Sequence, residues 1–188
     1  MGNRRTRAQV AAHRAAKWAG TMTGQAGREE DSKAQASVFA ATPEDTAEFG
    51  RRLGELVAAG DCVALCGPLG AGKTCFVSGL ASGMQVKGRV ASPSFIVMRR
   101  HPGPVCLYHA DAYRLADPYE LEEAGLNEWL EEGVVALEWA DLVAETLPPD
   151  TLFVWIEYEG EGRRIVFYTA GPRHARTIEA VTQCGRSE

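Results

Sequence analysis

Residues 61–76 read DCVALCGPLGAGKTCF. The apolar run from Cys62 to Cys66 ends abruptly in a glycine-rich stretch. Gly67, Gly72, Lys73 and Thr74 fit the spacing G-x-x-x-x-G-K-[ST], and Gly70 adds a third glycine. A loop that wraps a phosphate chain must bring backbone N–H groups within hydrogen-bond distance of anionic oxygens; side chains block that approach, so glycine is required. Phe76, Val77, Leu80 and Met84 then recur at helical spacing, so the loop opens a helix whose positive end faces the anion. In such a loop the lysine reaches the β/γ-phosphates and the hydroxyl ligates Mg²⁺. Gly67, Pro68, Leu69, Gly70, Ala71, Gly72, Lys73, Thr74 and Cys75 are therefore read as a nucleotide-phosphate cradle.

Around this loop the chain alternates between short apolar runs and amphipathic stretches. Ser37–Ala41 is a strand candidate. Thr42-Pro43-Glu44-Asp45 is a helix start, with Thr42 as N-cap, Pro43 at the first helical position and acids in the first turn. Phe49, Leu53, Leu56 and Val57 share one face of the helix that follows. Further strands are expected at Phe95–Met98, at Val105–His109 running on to Asp111, and at Val134–Leu137 ending in Glu138. Between the last two, Leu121–Leu130 reads as helix interrupted near Gly125. Leu152–Tyr158 and Ile165–Thr169 flank Glu159-Gly160-Glu161-Gly162 and form a hairpin. The alternation predicts an α/β fold of the small P-loop NTPase type, with a mainly parallel sheet, flanking helices and a C-terminal β-hairpin. Three segments follow: a disordered N-terminal extension (1–36), the nucleotide-binding domain (37–170) and a loose tail (171–188).

In parallel sheets ligands bind beyond the carboxyl ends of the strands. Asp111 and Glu138 both stand at such ends. Mg²⁺ keeps several waters and needs few protein carboxylates, so either acid can complete its shell. Trp139, beside Glu138, can stack on a base or pack in the core. His101 and His109 are expected as packing or surface histidines. Neither a Ser/His/Asp arrangement nor a metal-ligand cluster is evident.

Composition bounds the partners. Apolar content of 45% and charged content of 24% are ordinary for a globular protein. No apolar stretch approaches the ~20 residues that a membrane-spanning helix needs. Five cysteines without a C-x-x-C pair point to reduced thiols in a cytosolic protein. Residues 1–28 carry six cations and no acid, so against a whole-chain charge of −5 the remainder carries −11. Such an acidic body argues against broad electrostatic binding of nucleic acid by the domain itself. The basic head reads as an Ala- and Arg-rich extension, or as the product of an overlong start with Met22 as the true one; it lacks the apolar core of a secretory signal.

The stretches GPLGAGKTCFVSGLASGM, SPSFIVM, LYHADAYRLADPYELEEAGLNEWL and VVALEWAD, in that order, resemble the TsaE (YjeE) family of small bacterial ATPases required for tRNA threonylcarbamoyladenosine biosynthesis. The combination of S-P-[ST]-[FY], H-x-D-x-Y-R-L and [LI]-E-W at these separations is far more specific than the phosphate loop. The likeness spans roughly residues 37–170. Pro68 and Cys75 stand where the family usually has Asp and a second Thr, and Ala140 where E-W-P is common.

The resemblance implies that Lys73 and Thr74 handle phosphates and Mg²⁺. It makes Ser92, Pro93 and Ser94 a switch that senses the γ-phosphate, and Asp111 and Glu138 the functional acids, Glu138 on the metal side. Trp139 and the Thr46 region become nucleotide-side contacts. It further implies ATP as substrate and slow turnover alone. The partners it implies are TsaD and TsaB, with tRNA reached only through that complex, and with ATP hydrolysis resetting the assembly. No N-K-x-D for guanine is evident, which also favours ATP. The alternative is a small-molecule kinase on a minimal phosphate-loop fold. It needs an Arg-rich lid, and the close pairs Arg99-Arg100 and Arg163-Arg164 lie in hairpin-like contexts.

Overall fold

A computed structural model describes residues 35–88, 90, 98–169 and 171–183. The N-terminal extension lies outside them. The described chain builds one seven-stranded sheet flanked by helices. In order these are β1 (Gln35–Ala40), α1 (Pro43–Gly54), β2 (Cys62–Cys66), α2 (Lys73–Gly83), β3 (Met98–His101), β4 (Cys106–Asp111), α3 (Glu120–Glu123), α4 (Leu126–Glu132), β5 (Gly133–Glu138), β6 (Leu152–Glu159), β7 (Gly162–Thr169) and α5 (Ala175–Thr182). The sheet order is β1-β7-β6-β2-β5-β4-β3. Only its centre is parallel: β6, β2, β5 and β4 run the same way, while β1, β7 and β3 pair antiparallel. The mainly parallel sheet expected from sequence is thus a parallel core with antiparallel margins: β3–β4 and β6–β7 are hairpins with turns too short for a parallel crossover, and β1 adds antiparallel to the outer edge of β7.

β2 is fully buried and splits its side chains between two cores. Val63 and Leu65 join Val134, Ala136, Val154 and Ile156 under α1, α2 and α5. Cys62, Ala64 and Cys66 join Val135 and Leu137 under α3, α4 and the segment after β5. A strand covered on both faces must be apolar at every position, which is why CVALC does not alternate.

Thr42 caps α1 as expected: its hydroxyl accepts from Asp45 N–H while the Asp45 carboxylate accepts from Thr42 N–H. The helix stops at Gly54, so Leu56 lies outside it and is exposed. What the apolar spacing did not announce is how tightly α1 meets α2. A Cβ at Gly79 would lie 2.7 Å from the Ala47 carbonyl carbon, and one at Gly50 would lie 3.0 Å from Leu80 N. Glycines on both helices let the backbones touch, and this holds the start of α2 against α1.

Residues 171–188, expected to be loose, contain α5. Ile178 and Val181 stand three residues apart, both buried against the α1–α2 side of the sheet. Two anchors at helical spacing suffice once a surface exists to receive them. Among the described residues no helix is long and apolar enough to cross a membrane.

Candidate functional site

Glu138 closes β5, and Val134, Ala136 and Glu138 alternate onto one face of the sheet. That face looks at α2, whose second residue is Thr74. The Thr74 hydroxyl donates to Glu138, with Oγ1 lying 2.8 Å from Oε1 and 3.0 Å from Oε2. In β4, Asp111 is registered with Glu138 and His109 with Ala136, so the two acids stand side by side where adjacent strands end. His109 is two residues before Asp111 and therefore points the same way. It is fully buried, and its Nε2 lies 2.9 Å from Glu138 Oε1. With Nε2–H donating to the carboxylate, Nδ1 carries the lone pair, and that atom is buried with no hydrogen-bond partner. The expectation of a packing or surface histidine is corrected in one respect: His109 packs, and it also orients Glu138. Strand parity could have found it.

Asp111 is nearly buried, and its Oδ1 accepts from Tyr113 N–H at 3.0 Å. Burial, helped by the negative charge of Glu138, pushes its carboxyl above the ordinary range despite that hydrogen bond. Lys73 sits at the helix start, donating to the carbonyls of Gly67 (2.8 Å) and Pro68 (2.9 Å). Its Nζ lies 3.8 Å from the centroid of the Trp139 ring. Burial lowers its pKa, opposed by the carboxylates of Glu138 and Asp141. Trp139 holds φ at 57°, a left-handed conformation that costs a non-glycine residue about 1–2 kcal/mol. That turn lays its ring between Lys73 and Tyr113, whose ring centroid is 4.9 Å away.

The loop itself holds three glycines in left-handed backbone conformation. Gly67, Gly70 and Gly72 have φ of 131°, 75° and 110°. A Cβ at Gly67 would meet the Ile156 backbone, its carbonyl carbon being 3.1 Å away. The first helical bond of α2 runs from Phe76 N–H to Gly72 O, so the amides of Lys73, Thr74 and Cys75 have no acceptor within the helix. Leu69, at the loop tip, is 82% exposed.

Loop, acids and Trp139 line one cleft of about 590 Å³, which Tyr113 and Arg114 also border. A smaller one of about 170 Å³ lies on the other side of the loop, bordered by Thr42, Pro43, Thr46 and Arg163. Thr46 is buried. Its hydroxyl donates to the Thr42 carbonyl and its methyl backs Gly72, so it supports the loop from behind. Cys75 borders both clefts, and burial raises its thiol pKa. The structure thus brings Lys73, Thr74, Asp111, Glu138 and Trp139 together and sets Thr46 behind the loop. Ser92, Pro93 and Ser94 lie outside the described residues.

The site and its order along the chain agree with one family. The family model "Threonylcarbamoyl adenosine biosynthesis protein TsaE" matches residues 40–166. The chain belongs to the TsaE family. It is 44% identical over 124 residues to the tRNA threonylcarbamoyladenosine biosynthesis protein TsaE of Mycobacterium tuberculosis (strain H37Rv), covering 61% of this chain and 74% of that protein. To the protein of the same name from Bacillus subtilis (strain 168) it is 36% identical over 144 residues, covering 75% and 90%. Among solved structures it is similar to B. subtilis YdiB, with a TM-score of 0.67 and 29% identity over 82% of this chain and 97% of that one. The matched region holds both strand-end acids and the whole phosphate loop of this TsaE-family chain.

Three residues that sequence reasoning passed over also belong to the site. Tyr113 packs on Trp139. Tyr158 and Arg163, from the hairpin, reach back to carbonyls of the phosphate loop. No local signal marks the last two, since their targets lie 89 and 92 residues away in sequence.

Proposed function

We propose that this chain is a Mg²⁺-dependent ATP-binding protein of P-loop NTPase fold with slow ATPase activity. In this reading it supports tRNA threonylcarbamoyladenosine modification by acting on a TsaD–TsaB complex. The observation that carries the proposal is the meeting of the Thr74 hydroxyl with the Glu138 carboxylate, next to Lys73 and at the mouth of a glycine loop. A hydroxyl and a single carboxylate suit Mg²⁺, which takes few protein oxygens when phosphates are present. Thr74 and Glu138 would hold the ion, and when bound it supplies neutralisation of phosphate charge.

The remaining roles follow from the side chains. Lys73 exchanges loop carbonyls for phosphate oxygens, since its ammonium is already at the loop mouth. Glu138 faces Thr74 and His109 and is assigned to the metal, and Asp111, registered beside it at the end of β4, would orient the attacking water. Burial raises its pKa, which strengthens it as a proton acceptor. The names of the relatives supply the tRNA pathway, and in the kinase alternative one arginine of each candidate lid pair is already engaged within the sheet or loop. Arg163 is bound to Ala71 O, and Arg100 to Tyr108 and Cys106.

The test is ATP turnover with and without Mg²⁺, and with and without TsaD and TsaB from the same organism. Mg²⁺-dependent hydrolysis that rises with the partners supports the proposal. Transfer of the γ-phosphate to a small acceptor in place of water would refute it.

A further inference from the structure

The β6–β7 hairpin grips the outer edge of the phosphate loop. Tyr158 and Arg163 face each other across it in register. The Tyr158 hydroxyl donates to Leu69 O at 2.9 Å. The Arg163 guanidinium donates from Nε to Ala71 O at 3.0 Å, places Nη2 3.5 Å from Gly70 O, and lies 4.3 Å from the centroid of the Tyr158 ring. Three consecutive loop carbonyls are therefore turned toward the hairpin.

A trans peptide sets the C=O of one residue and the N–H of the next on opposite edges. Holding the carbonyls of Leu69, Gly70 and Ala71 on the hairpin side turns the amides of Gly70, Ala71 and Gly72 the other way. The Ala71 amide closes a turn onto Pro68 O at 3.2 Å. That leaves the amides of Gly70 and Gly72, the two glycines with positive φ, facing away from the guanidinium. Glycine flexibility lets the loop adopt an anion cradle and equally lets it leave one. Donors fixed to its carbonyls remove that freedom. Because Pro68 supplies no N–H, the remaining amides carry more of the anion contact.

We propose that Arg163, stacked on Tyr158, is a positioning residue for the nucleotide phosphates: it acts by orienting loop peptides, without itself touching the phosphate. This rests on the ATP-site reading above. It separates two kinds of ligand. Anything held through its phosphates should feel the clamp, and a nucleoside without phosphate should not.

The experiment measures binding of ATP, inorganic tripolyphosphate and adenosine by calorimetry, over a range of salt, to the full chain and to Arg163→Gln, Arg163→Lys and Tyr158→Phe. Melting temperatures are recorded alongside. The expected result is a roughly tenfold loss for ATP and tripolyphosphate in Arg163→Gln, which corresponds to about 1.4 kcal/mol. Adenosine affinity should be unchanged. Arg163→Lys, with charge kept but only one carbonyl in reach, should fall between. Tyr158→Phe should lose about threefold on tripolyphosphate with no change of charge or salt dependence, the size of one hydroxyl bond. Equal tripolyphosphate affinity in Arg163→Gln and wild type overturns the inference. So does an equal loss for adenosine, or full retention in Arg163→Lys with a flatter salt dependence in Arg163→Gln, which marks direct charge contact. If the wild type binds neither ATP nor tripolyphosphate, the nucleotide reading fails first and takes this inference with it.

Discussion

Glu138→Gln isolates the charge at the centre of the site. The carboxylate makes three close contacts, two with Thr74 Oγ1 at 2.8 and 3.0 Å and one with His109 Nε2 at 2.9 Å. Oε1 takes part in both partnerships, so the glutamine carbonyl can keep them, and its amide can face the Thr74 hydroxyl as donor. The fold then exchanges charge-assisted bonds for neutral ones, a cost of about 1 kcal/mol. For a chain of this size that lowers the melting temperature by about 2–4 °C. Alanine is a poorer probe, because it strands the Thr74 hydroxyl and a fully buried histidine N–H at about 1–3 kcal/mol each.

A bound Mg²⁺, as proposed, would find no such compensation. A unit charge about 4 Å from the ion contributes about 4 kcal/mol per unit of ionic charge at an effective dielectric near 20. Even after discounting by half for phosphates and water, Mg²⁺ dependence should move by at least about 30-fold, with turnover falling in step. The assay is ATP hydrolysis titrated with Mg²⁺, with calorimetric ATP binding as control. A glutamine variant with the wild-type Mg²⁺ midpoint and rate would refute the assignment and move the metal role to Asp111.

Lys73→Ala should lower ATP affinity by at least about tenfold, since a charge-assisted bond to phosphate contributes about 1.5–3 kcal/mol; a folded variant of unchanged affinity, seen by calorimetry, would sink the nucleotide site. Gly79→Ala should destabilise the chain by about 1–3 kcal/mol in urea, because its Cβ would sit 2.9 Å from Ala47 Cα and force α1 and α2 apart. Stability should also fall on mild acidification. Burial holds His101 and His174 below their ordinary value of 6.5, so the stability they contribute is whole above pH 6.5 and is lost as pH falls through their depressed folded values. Asp111, raised above 3.8, acts in the opposite sense: its contribution is present below 3.8 and lost as pH rises through its folded value. Denaturation curves from pH 7 to 5 should therefore slope toward lower stability, and His101→Asn with His174→Asn should flatten them; an unchanged slope in the double variant counts against the assignment.

The legible parts of this fold are those whose cause is local. The loop motif, the Thr42 cap, the break at Gly125 and the hairpin turn each depend on residues within a few positions of one another. The strand-end acids were legible because an apolar run fixes where a strand stops. His109 needed one further step: residues two apart on a strand share a face, so a site at Asp111 also reaches His109. The α1–α2 glycine contact and the hold of Tyr158 and Arg163 on the loop have tertiary causes that no window of sequence contains. α5 was missed for a related reason, since a helix anchored by only Ile178 and Val181 looks featureless until the surface it covers is known.

The central place of β2 explains how the candidate site is assembled. β2 pairs with β5 on one side and β6 on the other, and its own end becomes the phosphate loop. β5 therefore delivers Glu138 to one flank of the loop, and with β4 registered beside it Asp111 and His109 arrive at the same level. β6 continues past the loop into the hairpin and brings Tyr158, and across it Arg163, to the other flank. The acids stand on the side where the helix start faces outward; the hairpin holds the carbonyls on the opposite side. A glycine loop is loose by itself, and its conformation here is set by neighbours on both edges of the strand that leads into it. In the proposed nucleotide reading, binding energy from the phosphates would then be spent on contact and little on ordering the loop, which is what preorganisation means.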